Sequence, residues 1–162
     1  MTEERGVDPK HRFLADPALG KLAKWLRILG MDAQYISTGT MEGAIAACEP
    51  DRILLTRSKR FAKHAITGRM VFINSNDPMD QLKEVVDVVG MQRGDLRPFS
   101  RYVRCNISVS PVEKASVKSR VPDYVWEHHH RFHQCRRCGR IYWAGTHLER
   151  SLMRIDKLFG VG

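Results

Sequence analysis

Hydrophobic positions in the first ninety or so residues alternate between two kinds of segment. Short apolar runs at Arg12–Ala15, Ala33–Ile36, Arg52–Thr56 and Met70–Ile73 have the length of strands. Between the first two, Leu19, Leu22, Ala23, Leu26 and Leu29 recur at three- and four-residue steps, the stripe of a helix. Asp16-Pro17 marks its start and Gly30 its end. Met41–Cys48 is small-residue and helix-compatible, closed by Glu49-Pro50, with Cys48 expected to pack inside. Lys59–Ile66 reads as a short helix, and Leu82, Val85, Val86 and Val89 form a second clear stripe capped by Gly90. Four β-α units in a row imply an α/β fold, a parallel sheet with helices on both faces.

In such sheets ligands bind beyond the carboxyl ends of the strands. The residues to inspect are therefore Asp16, Ser37-Thr38, Arg57-Ser58 and Asn74–Asp77. The first turn, A-D-P-A-L-G, has no G-x-G-x-x-G, and Gly20-Lys21 lacks the rest of a phosphate loop, which argues against a dinucleotide or nucleoside-triphosphate site. Carboxylates are present instead: Asp16, Asp77, and Glu42 in the first turn of the second helix. Clustered oxygen ligands suit Mg²⁺ or Mn²⁺, which activate water for phosphodiester hydrolysis. Each also has a plainer role, Asp16 and Asp77 as helix N-caps and Glu42 as a partner of the helix dipole.

Charge changes the picture downstream. Residues 1–97 carry 15 Lys/Arg against 13 Asp/Glu, whereas residues 98–162 carry 12 against 5, with three of the four Cys and five of the seven His. With Gly94 to Pro98 interrupting the pattern, this predicts an α/β domain at 1–97 and a basic module at 98–162. Cys135-Arg136-Arg137-Cys138-Gly139 is a metal knuckle, two thiolates three apart on a tight turn. Cys105 stands 30 residues upstream without a partner three residues away, since Tyr102 and Ser108 occupy those positions. His133 or one of His128–His130 could complete a Cys₃His zinc set.

Arg and aromatic residues alternate through this module, including Tyr124, Trp126, Arg136, Arg137, Arg140, Tyr142 and Trp143. Cations for phosphates beside rings that stack on bases suit single-stranded RNA, unless the rings fill a small core. Leu148, Leu152, Ile155 and Phe159 predict a closing amphipathic helix. The overall charge of +9 favours a polyanion over a membrane, and no apolar run approaches a span. The opening M-T-E-E-R-G-V-D-P-K has no signal core, so a cytoplasmic location is expected.

R-F-L-A-D-P-A-L-G-K-L-A-K-W-L-R-I-L-G (Arg12–Gly30), R-I-L-L-T-R (Arg52–Arg57) and C-G-R-I-Y-W-A-G-T-H (Cys138–His147) resemble the mut-seven C-terminal RNase domain family. So do Cys105-Asn106 and the V-P-x-x-V segment at Val121–Val125, and the likeness runs from about Lys10 to Arg154. It implies a PIN-like three-layer sandwich followed by a zinc ribbon, and a metal-dependent ribonuclease. It maps the first metal-binding Asp onto Asp16 and suggests Glu42 and Asp77 as further acidic positions.

Two departures from the family pattern stand out. Its T-R-D is Thr56-Arg57-Ser58 here, and its R-C-x-x-C-N runs from Arg101 to Asn106 with Tyr102 at the first zinc Cys. That alignment leaves Cys105, Cys135 and Cys138 as the zinc ligands.

The leading expectation is a ribonuclease using Asp16, Glu42 and Asp77 on Mg²⁺ or Mn²⁺. RNA would be held by Arg57, Lys59, Arg136, Arg137 and Arg140, with Tyr142 or Trp143 stacking. His147 is a candidate phosphate contact, with a structural hydrogen bond as its alternative. A binding module disabled at Ser58 is the second reading, and a small-molecule α/β enzyme, which leaves the basic module unexplained, the third.

Overall fold

A computed structural model describes residues 9–36, 39–47, 49–62 and 69–160. It divides into two compact units, Met1–Phe99 and Ser100–Gly162.

The first unit is built on β1 (Arg12–Ala15), β2 (Asp32–Tyr35), β3 (Ile53–Thr56) and β4 (Met70–Phe72), joined by α1 (Gly20–Ile28), α2 (Met41–Ala47) and α3 (Lys59–Ala62), with α4 (Pro78–Val89) following. The strands are parallel in the order β2-β1-β3-β4, with Phe13 opposite Ala33 on one side and Ile53 on the other. Alternation along the strands divides the core. Leu14 and Leu54 point to one face, where they pack with Ile36, Met41, Ala44, Ile45 and Phe61, so α2 and α3 cover it. Phe13, Ala15 and Leu55 face the other way and are fully buried, as are Leu22, Leu26, Leu82 and Val85 of α1 and α4, which pack together. Each such leucine contributes about 2 kcal/mol of transfer free energy.

The expected three layers are therefore present, with strand limits shifted by one residue at β2, β3 and β4. The continuation of α3 beyond Ala62, Ser37-Thr38 and Cys48 lie outside the described residues. Gly90 ends α4 at φ +72, a left-handed position that glycine adopts without strain.

The second unit holds β5 (Arg101–Tyr102), β6 (Ile107–Val112), α5 (Asp123–His128), β7 (Phe132–Cys135), β8 (Ile141–Trp143) and α6 (Thr146–Leu158). Its strands are antiparallel in the order β5-β6-β7-β8. Val117, Val121, Val125 and Phe132 form its small core, with Val112, Trp126, Ile141 and Trp143 packed against them. The expected C-terminal helix is α6, whose Ile155 is fully buried while Leu148, Leu152 and Phe159 are half-buried.

Candidate functional site

Strand order decides where a ligand could enter the first unit. The chain leaves β1 toward β2 and then crosses back past β1 to β3, so the direction of winding reverses between β1 and β3. In sheets of this kind ligands enter at such a reversal, beyond the carboxyl ends of the two strands. Asp16 ends β1 there and is 3% exposed. Its Oδ2 accepts the Thr56 hydroxyl at 2.7 Å and the Arg57 N–H at 2.8 Å, while its Oδ1 accepts the Ala18 N–H at 2.8 Å. Its own N–H donates to the Leu55 carbonyl. Asp16 is thus both the cap of the turn into α1 and the tie between two strand ends.

The other two carboxylates stand apart from this arrangement. Glu42 is exposed on α2 and pairs with Arg60 at 2.9 Å, an exposed ion pair that contributes little. Asp77 caps α4, accepting the Met79 N–H at 2.8 Å and the Asp80 N–H at 3.3 Å. Ser58 donates its N–H to the Thr56 hydroxyl, and Lys59 is exposed at the start of α3. Arg57 reaches across to the loop after β4, donating to Asn76 Oδ1 at 2.6 Å.

Sequence reasoning passed over Glu84, which holds that loop. It accepts N–H bonds from Asn74 at 2.9 Å and Ser75 at 2.7 Å. Burial opposes its ionisation, but these donors outweigh it and hold Glu84 below the usual carboxylate range. Its position seven residues after Asp77, on the flank of an amphipathic helix, reads as an ordinary surface residue.

In the second unit the metal knuckle forms. Among the described residues, one group of three His, Cys, Asp or Glu could hold a metal ion: Cys105, Cys135 and Cys138, with sulfurs within 4.8 Å of one another. Asp16, Glu42 and Asp77 form no such group. Two tight turns bring the thiols together. Asn106 takes φ +54 after Cys105, and Gly139 takes φ +72 after Cys138. Burial and the neighbouring thiols push Cys105 up to about 11, whereas the Arg140 N–H holds Cys138 below the ordinary thiol range.

No histidine joins the group, so neither His133 nor His128–His130 completes a Cys₃His set. His133 sits in mid-strand between Pro111 and Tyr142, and His128 Nδ1 lies 2.7 Å from the Tyr124 carbonyl. Thiolate donors in this number and spacing suit zinc.

The basic residues around the knuckle are accessible. Arg136, Arg137 and Arg140 are exposed, Arg136 donating to the Ser110 hydroxyl at 2.7 Å, and His147 is exposed in the first turn of α6. The rings are less free. Trp143 belongs to the core, and Tyr142 meets Tyr102 edge-on at 6.2 Å. Burial, with Tyr102 beside it, pushes Tyr142 up to about 12. Trp126 is flanked by Lys114 at 4.6 Å and Lys118 at 4.9 Å, and Tyr124 is 67% exposed.

A doubly covered parallel sheet with a buried aspartate at its winding reversal, followed by a thiol-bearing antiparallel module, defines the class of chain. The family model described as the Mut7-C RNAse domain matches residues 11–155, and the chain belongs to that family. Comparison with curated proteins and with solved structures finds no match. No helix among the described residues is long and apolar enough to cross a membrane.

Proposed function

We propose that the chain is a metal-dependent ribonuclease of PIN-like architecture, its first unit carrying the reaction and its second holding the RNA strand. The observation that supports this most is the position of Asp16, a buried carboxylate at the winding reversal between β1 and β3. As folded, Asp16 stands without Glu42 and Asp77 beside it, so an Mg²⁺ or Mn²⁺ ion, which takes oxygen donors, would rest on Asp16 first and need the other two carboxylates drawn toward it. When bound, such an ion supplies an activated water and neutralises charge on the phosphodiester.

Asp16 would contribute the lone-pair capacity that its three donors leave on Oδ1. Glu42 would contribute once released by Arg60. Arg57 and Lys59 would meet phosphates beyond the strand ends, and Arg136, Arg137, Arg140 and His147 those of a single strand in the basic unit. A reducing cytoplasm would keep the three thiols free for metal.

Cleavage of labelled single-stranded RNA with Mn²⁺, Mg²⁺ or EDTA tests this. Because Asp16 also ties the fold together, Asp16→Asn is paired with Glu42→Gln, whose side chain is exposed. Metal-dependent cutting by wild type, lost in both variants with the Glu42→Gln melting temperature unchanged, is the expected result. Equal cutting by all three overturns it.

A second reading, an RNA-holding module without cleavage, is favoured by Ser58 at a position where a carboxylate is expected and by the donors already on Asp16. Salt-dependent RNA binding without cutting by wild type would establish it.

A further inference from the structure

A zinc site closed by protein takes four ligands, and one that keeps a position open takes three. Cys105, Cys135 and Cys138 place their sulfurs within 4.8 Å of one another. Zinc–sulfur bonds of about 2.3 Å in a tetrahedron would space them about 3.8 Å apart, so donor type and spacing both suit the ion.

Among the described residues a fourth protein donor does not present itself. No His, Asp or Glu among the described residues belongs to the group, and the five histidines of this unit are all described. The residue standing three before Cys105, where a knuckle would carry its second thiolate, is Tyr102. It is 9% exposed and turned edge-on to the Tyr142 ring. A phenol also keeps its proton near neutral pH, unlike a metal-bound thiol.

Exposure around the cluster is graded. Cys135 is fully buried at the end of β7, Cys105 is half-buried, and Cys138 is exposed. The ligand shell therefore opens to solvent on the side of Cys138.

We propose that Cys105, Cys135 and Cys138 bind a zinc-type divalent ion through three thiolates and leave its fourth position to an exchangeable small donor. Water would occupy that position at rest; an imidazole would replace it as a neutral ligand, and a free thiol would replace it as a thiolate, giving its proton to solvent. Three thiolates on a divalent ion leave the centre at −1, where four would leave −2.

The test uses the full chain, stripped of metal and titrated with Co²⁺ under a phosphine reductant, read by absorption rather than activity. Wild type is expected to show the sulfur-to-cobalt intensity of three thiolates. Its d–d bands should shift saturably when imidazole or 2-mercaptoethanol is added. His133→Ala should leave both spectra unchanged. Tyr102→Cys should raise the charge-transfer intensity by about one third as a fourth thiolate joins, and should abolish the response to added ligand.

The proposal is overturned by the absence of a three-thiolate cobalt spectrum in wild type. It is equally overturned by a spectrum indifferent to added ligand, or by d–d bands that change in His133→Ala. If circular dichroism shows Tyr102→Cys unfolded, the wild-type ligand titration and His133→Ala decide the matter.

Discussion

The Asp16 carboxylate accepts the Thr56 hydroxyl at 2.7 Å, joining the ends of two neighbouring parallel strands that are 40 residues apart in sequence. The same hydroxyl accepts the Ser58 N–H at 3.0 Å, so one oxygen organises the turn out of β3 while it steadies the carboxylate.

Thr56→Val keeps the shape of the side chain and removes both bonds. Thr56 is fully buried, so Asp16 loses a charge-assisted donor and the Ser58 N–H loses its acceptor. A loss of about 2 kcal/mol in urea denaturation at pH 7 is expected, with Thr56→Ser recovering most of it. A loss below about 0.5 kcal/mol would show that Asp16 is held by its backbone donors alone.

At the opposite end of the sheet, Arg52 forms two bonds of 2.9 Å to Asp32, with its side chain 3% exposed. Burial works against its charge, but Asp32 outweighs it and keeps the guanidinium more firmly protonated than usual. Asp32→Ala leaves a buried cation with fewer partners, and about 3 kcal/mol of stability should disappear. Glu49 and the Phe13 carbonyl, which also accept from Arg52, set the lower bound. The double change Arg52→Met with Asp32→Leu should recover much of the loss, which denaturation of wild type, Arg52→Met, Asp32→Leu and the double variant would measure.

His11 predicts an acid limb of stability. It is 8% exposed and its Nε2 has no hydrogen-bond partner among the described residues. Burial first, then Lys10 and Arg69, lower its pKa, with Asp95 acting in the opposite sense. The folded chain therefore binds a proton on His11 less readily than the unfolded chain. This contribution is fully present above pH 6.5 and is lost as pH falls below it. Melting temperatures from pH 8 to 5 should fall more steeply for wild type than for His11→Phe; parallel curves would exclude His11 as the cause.

Gly139 offers a test of the knuckle turn. An added Cβ would lie 3.6 Å from Gln134 Nε2, an ordinary contact, so strain comes only from φ +72. Gly139→Ala should cost about 1–2 kcal/mol and weaken metal binding, whereas Gly139→Asn, which tolerates this region, should cost less. Competition with a colorimetric zinc chelator would rank the three proteins.

The stripes of α1 and α4 were legible because Leu22, Leu26, Leu82 and Val85 are spaced by the helix period itself. The Asp16 tie was not, because it depends on β3 lying beside β1 while β2 lies outside, an order that local pattern does not encode. The knuckle at Cys135 and Cys138 declared itself by spacing, and Cys105 by being left over. That Tyr102 turns toward Tyr142, and that Trp143 belongs to a core, depends on cross-strand neighbours. Alternating Arg and aromatic residues look the same whether the rings are presented or packed.

The order β2-β1-β3-β4 also constrains how the chain is made. β1 emerges early from synthesis yet becomes an interior strand, and its second edge is paired only when β3 has been added. A chain stopped at Pro50 carries β1 and β2 with the apolar edge of Phe13 and Leu14 open to other chains. Such a fragment should self-associate, and extending it through Thr56 should begin to close that edge.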